Sequence, residues 1–209
     1  MFGLNYTNFA DIMTKGGWVM GPLLICSLIG LTLSFERAWF WMRTNSRGNV
    51  ARARRMGELI RAGDTQGAKA LCEMDGSVYG RIVRSLLKEK PTDAAMVAAV
   101  DEQRPRMDRF MGTLSTIITA APMLGILGTV TGLIRAFNIL NDQGVSNPRE
   151  VTPAIAEALI TTAAGLVVAI FVLFPYNAFR AQVDRTLGRI ETLMAAAGTR
   201  GSDEGKKPQ

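Results

Sequence analysis

The chain has 209 residues, 48% of them hydrophobic and 20% charged, with a formal net charge of +6 and a mean hydropathy of +0.15. The averages conceal a segregation: charge is sparse in three long apolar stretches and dense between the first two. That pattern excludes an ordinary soluble domain with mixed segments and identifies a polytopic membrane protein, whose positive balance follows from topology and needs no nucleic-acid partner.

Residues 1–16 place Phe2, Leu4, Tyr6, Phe9, Ile12 and Met13 among polar residues, without the basic start and small-residue cleavage site of a signal peptide. They are expected to form a periplasmic amphipathic segment along the membrane surface. Residues 17–42 form transmembrane helix 1, anchored by Trp18 at one interface and by Trp39, Trp41 and Arg43 at the other. Glu36 and Arg37 near that second end read as an interfacial ion pair that snorkels outward. Pro22 is accommodated in the first turn or as a mild kink. Cys26 and Cys72 lack metal-ligand spacing and read as buried thiols without a disulfide.

Residues 43–110 form a cytoplasmic helical domain. Gly63-Asp64 and Asp75-Gly76 punctuate its helices as turns, and Leu59, Ile60, Leu71, Ile82, Val83, Leu86 and Leu87 supply their apolar faces. Its last helix, capped by Thr92 or Asp93 and bent at Pro105, is expected to run directly into the membrane. Transmembrane helix 2 occupies residues 111–140 and a short periplasmic loop residues 141–151. Transmembrane helix 3 occupies residues 152–179, with Thr152 as N-cap and Pro153 at the first helical position. A cytoplasmic helix follows over 180–197, where Val183, Leu187, Ile190, Met194 and Ala197 repeat as an a/d seam. That seam packs on the same subunit's insert or on copies of itself. Residues 198–209 are polar and read as a disordered tail. The insert holds most of the chain's 24 Lys/Arg, whereas the short loop has only Arg149. The positive-inside bias then puts the N-terminus and the short loop outside, and the insert and the C-terminus inside. The fold class is all-α: a polytopic membrane bundle of three transmembrane helices, with long helices extending into the cytoplasm.

The spans are not plain anchors. Ala121, Gly125, Gly128 and Gly132 form a smooth stripe on the second, and Ala154, Ala158, Gly165 and Ala169 a similar surface on the third. Small-residue stripes of this kind mean close helix packing. A lone membrane threonine usually bonds back to its own helix, but Thr113, Thr116, Thr119, Thr129, Thr131, Thr161 and Thr162 together allow a hydrated, hydroxyl-lined surface as well. Glu157 lies about one turn inside the third span, sharing a face with Thr161 while Thr162 points elsewhere. It is either the acid of an ion path or an interfacial acid favoured by the helix N-terminal dipole. Arg135 pairs with Glu157 or Asp142, or snorkels. No nucleophile–base pair, phosphate loop or metal cluster is present, and GILGTVTG lacks the Lys-Ser/Thr of a phosphate cradle. The chain is not expected to be an enzyme or to hold a cofactor or metal.

GGWVMGPLLICS leading to FERAWF on the first span, APMLGILGTVTGLIRAF on the second and TPAIAEALITTAAGLVVAIFVLFPYN on the third resemble the MotA/TolQ/ExbB proton-channel family, nearest its ExbB/TolQ branch. The resemblance implies a homopentamer in the bacterial inner membrane, surrounded by lipid. It would enclose a dimer of a single-span ExbD/TolR-type partner within its pore and act on a TonB- or TolA-type protein. It further implies that Thr129 and Thr162 face the pore, with Thr161 and Glu157 on the proton pathway and the titrating aspartate supplied by the partner. Energising TonB-dependent outer-membrane transport is the expected function. The alternatives are a TolQ-like subunit for envelope constriction or integrity, and a scaffold that conducts nothing.

Overall fold

The computed structural model describes residues 16–88, 93–143 and 148–204, and these form seven helices and no strand. They are α1 (Met20–Thr44), α2 (Arg47–Ala62), α3 (Thr65–Met74), α4 (Val78–Lys88), α5 (Asp93–Met107), α6 (Met111–Gln143) and α7 (Pro148–Glu204). Three are long and apolar enough to cross a membrane, within α1, α6 and α7; roughly 20 residues suffice. The expected amphipathic segment falls almost wholly on residues outside those described, as does the Thr92 cap.

The helical path divides into two compact units. The first takes its described residues from Met1–Phe35 and Phe110–Asn177, the second from Glu36–Arg109 and Ala178–Gln209. In the first unit, Gly17 adopts a left-handed backbone (φ 64), and the Met20 N–H donates to its carbonyl at 3.2 Å, opening α1. Pro22 falls in the first turn, where its missing N–H is not needed. Val19, Met20 and Leu23 pack with Ala121 and Ala169 in one buried cluster, and Ala136, Val151 and Ala154 form another.

The second unit is held by helix ends that satisfy one another. Gly63 (φ 87) terminates α2, with its own N–H on the Ile60 carbonyl and that of Asp64 on Leu59; a left-handed glycine suits this C-cap. Asp64 Oδ1 accepts from the Gly67 N–H at 2.8 Å and so caps α3. The Asn49 side chain donates to the Arg43 carbonyl at 2.8 Å, and Arg84 donates to the Cys72 carbonyl at 2.6 Å. Met56, Cys72, Tyr79, Ile82 and Val83 are buried between these helices, and so are Phe179, Val183, Thr186 and Ile190 of α7. Among the described side chains the α7 stripe therefore packs within its own chain, at positions 179, 183, 186 and 190, with Leu187 only half-buried; Met194 and Ala197 lie outside them.

Four expectations need correcting. The last helix of the insert does not run into the second span: α5 ends at Met107 and α6 begins at Met111. Phe110 between them is left-handed (φ 64), a conformation costing an L-residue roughly 1–2 kcal/mol and incompatible with a continuous right-handed helix. The helix that carries the third span is already formed at Pro148, so Thr152 lies inside it and is not its cap, although the apolar span itself begins at Val151. Residues 198–204 continue α7 as helix instead of forming irregular tail. Finally, Arg37 does not snorkel to water; it is 1% exposed.

Candidate functional site

Helices α6 and α7 meet along the two stripes of small residues, and the fit leaves no room for side chains. A methyl group on Gly132 would lie 2.8 Å from Ala158 Cβ and 2.9 Å from the Ala154 carbonyl oxygen. On Gly125 it would lie 3.0 Å from the Thr161 carbonyl oxygen and from Thr162 Cα. On Gly165 it would come to 2.5 Å from the Ala121 carbonyl oxygen and 3.1 Å from Gly125 Cα. Gly128 faces the Thr161 side chain directly, while Ala158 and Ala169 are buried. Backbone-to-backbone approach of this kind is what small residues permit in a membrane, where apolar side chains gain little by leaving lipid for one another.

The seam fixes what the polar residues of the spans can reach. Thr162 donates across to the Gly125 carbonyl at 3.0 Å, tying α7 to α6. Thr161 is 1% exposed and donates back to Ala158 at 2.8 Å. Its side chain packs against Gly128 as a buried contact of the helix pair. Thr129 donates to the Ile126 carbonyl at 2.6 Å and is half-buried. Thr116, Thr119 and Thr131 also bond back to their own helix, so local back-bonding accounts for most of the donors. Each hydroxyl retains acceptor capacity.

Glu157 sits where three segments converge. Arg135 of α6 donates to its carboxylate at 3.0 Å, and a methyl on Gly17 would collide with that same carboxylate. The acid side chain is 17% exposed and that of Arg135 67%. Of the pairings open to Arg135 in the sequence, the one with Glu157 is formed. The part of Gly17 was not visible beforehand; its place just before Trp18, in GGW, was the available hint.

At the other end of α1, Arg37 lies 3.0 Å from Glu36 and donates to the Arg106 and Met107 carbonyls at 3.0 and 3.3 Å. It thereby satisfies the C-terminal carbonyls of α5, which have no partner inside that helix. Its guanidinium also lies 4.8 Å from the Phe40 ring centroid, within cation–π range. A second polar knot joins Tyr79, Asn45, Gln182 and Arg189: Tyr79 donates to Asn45 at 3.2 Å, Asn45 to Gln182 at 2.7 Å and Arg189 to Tyr79 at 3.1 Å. Among the described residues no cluster of His, Cys, Asp and Glu could hold a metal ion.

Residues 74–192 match the model of the MotA/TolQ/ExbB proton channel family. The chain is 42% identical over 178 residues to the ExbB-like 1 protein of Synechocystis sp., covering 80% of this chain and 68% of that one. With ExbB-like 3 of the same organism it shares 33% over 186 residues, 84% and 87% of the two chains. The Tol-Pal system protein TolQ of Pseudomonas aeruginosa is 35% identical over 99 residues, 47% and 43% of the two chains. With three apolar helices of membrane-crossing length and a matched region covering more than half its length, the chain is a multi-pass membrane protein that belongs to the MotA/TolQ/ExbB proton channel family.

Proposed function

We propose that this chain is the ring-forming subunit of an ExbB-like proton channel in the inner membrane, with its N-terminus periplasmic and its C-terminus cytoplasmic. Five copies would enclose a dimer of a single-span, ExbD-type partner, and proton flow would energise TonB-dependent transport across the outer membrane. The observation that carries this reading is the setting of Glu157. It is the single acid among residues 152–176, and it is paired with Arg135 of α6 at 3.0 Å. An ionisable group at such a depth is costly and marks an ion path by default. The proton would pass between the partner's carboxylate and a surface bearing Glu157, Thr162 and Thr129, whose hydroxyls offer both donor and acceptor functions.

The exposed apolar side chains support assembly. Met123, Ile126, Val130 and Phe137 on α6 and Leu159, Leu166, Ile170 and Phe174 on α7 are uncovered in one protomer, and lipid or neighbouring copies would cover them. The energy is sufficient in kind: one charge crossing about 100 mV releases roughly 2.3 kcal/mol, so several protons would drive a conformational cycle. The TolQ-like alternative is favoured by the match to Pseudomonas aeruginosa TolQ over 47% of this chain; there the same channel would act through a TolA-type protein. The test is proton flux into proteoliposomes holding the subunit with its single-span partner. Glu157→Ala and Thr162→Ala should each lower partner-dependent flux at least about tenfold, equivalent to about 1.4 kcal/mol. Wild-type flux in both variants would refute the assignment.

A further inference from the structure

The last turns of α1, the start of α2, the turn between α3 and α4 and the start of α4 enclose an open cavity of about 700 Å³ within the second unit. Three guanidinium groups line it, from Arg43, Arg52 and Arg81. Arg52 is engaged locally, by Asn49 and by Asp75 at 3.9 Å. Among the described residues, the guanidinium groups of Arg43 and Arg81 have neither a carboxylate nor a hydrogen-bond partner. The two acids of the lining do not offset them. Asp75 is buried and accepts from Ser77 N and Ser77 Oγ at 3.0 and 2.9 Å, while Glu36 is paired with Arg37 at 3.0 Å. The cavity thus presents two uncompensated cations. On its α1 side stands Trp39, 70% exposed, in the last two turns of a helix of membrane-crossing length. An amphipathic ring there marks the headgroup level of a bilayer.

We propose that this cavity binds the phosphate of an anionic phospholipid, with Arg43 and Arg81 on the phosphate and Trp39 against the glycerol and upper acyl region. Planar guanidinium forks suit phosphate oxygens. Uncompensated arginines at the membrane surface attract anionic lipid, and a cavity flanked by an aromatic ring selects a lipid over the free ion. The cavity shares no lining residue with the set proposed for the proton path, so it does not depend on how that path is assigned.

The test is native mass spectrometry of the full-length protein in detergent. It is titrated with phosphatidylglycerol, with phosphatidylcholine, and with phosphatidylglycerol in the presence of inorganic phosphate. Wild type should prefer phosphatidylglycerol to phosphatidylcholine. The Arg43→Gln/Arg81→Gln variant should bind it about thirtyfold more weakly, the worth of two arginines near an anionic surface. Arg47→Gln/Arg55→Gln removes the same charge outside the cavity and should bind like wild type, and Trp39→Ala should weaken lipid retention. Thermal unfolding of each variant shows that the comparison is between folded proteins. Equal weakening in the two double variants, no preference between the lipids, or displacement of lipid by inorganic phosphate would each overturn the proposal.

Discussion

Replacing Gly165 by alanine tests the α6–α7 seam with a single methyl group. That methyl would stand 2.5 Å from the Ala121 carbonyl oxygen and 3.1 Å from Gly125 Cα. Both obstacles are backbone, so no rotamer change relieves them. Ordinary contact begins near 3.4 Å, so the helices must part locally by about 1 Å, enough to forfeit a quarter to a half of the dispersion gain at the affected contacts. Overpacking of this kind costs about 1–3 kcal/mol, and stretching the Thr162–Gly125 hydrogen bond adds about 0.6 kcal/mol in a membrane. Alanine returns up to about 1 kcal/mol through its better helix propensity. The net expectation for Gly165→Ala is destabilisation by about 1–2 kcal/mol. Gly188→Ala is the matched control: it lies in the same helix, and a methyl there meets nothing within 4 Å, so it should gain about 0.5–1 kcal/mol. Reversible unfolding in mixed detergent micelles measures both. If Gly165→Ala is as well tolerated as Gly188→Ala, the close backbone approach inferred for these spans is wrong.

The second unit yields two further expectations. Arg37→Met removes the donor to the Arg106 and Met107 carbonyls and should lower stability by about 2–4 kcal/mol, since each buried carbonyl left unsatisfied costs about 1–3; Arg37→Lys should recover part of the loss in thermal unfolding. Tyr79→Phe takes away the hydroxyl shared with Asn45 and Arg189. It should cost about 1 kcal/mol, and a double-mutant cycle with Arg189→Gln should return a coupling of about 0.5–1.5 kcal/mol.

What the sequence made legible was what depends on composition and periodicity. α1, α6 and α7 are legible because their length and apolar content answer to the thickness of a bilayer. The seam is legible because glycines and alanines recurring every three or four residues share a helix face, and such stripes on two spans imply each other. Glu157 drew attention as an acid among apolar residues, although its partnership with Arg135 was one of several possibilities. Long-range geometry was not legible. Arg37 reads as an interfacial residue within FERAWF because its acceptors lie 69 and 70 residues further along the chain. The break at Phe110 escaped notice because neither glycine nor asparagine marks it, and left-handed phenylalanine is rare. The start of α7 was missed because Thr152-Pro153 carries both marks of a helix start, a capping hydroxyl followed by a proline, although the helix is already formed at Pro148.

The most direct test of the account asks whether the hydroxyls of the spans carry protons or merely fill space. Thr129→Val and Thr162→Val preserve side-chain shape while removing the oxygen, so assembly with the single-span partner should survive. Gradient-driven proton flux per assembled ring is the quantity to measure, in vesicles with and without that partner. The account predicts that flux requires the partner and falls at least about tenfold in the double valine variant, equivalent to about 1.4 kcal/mol. Undiminished flux through intact valine rings, or no partner-dependent flux in the wild type, would contradict it.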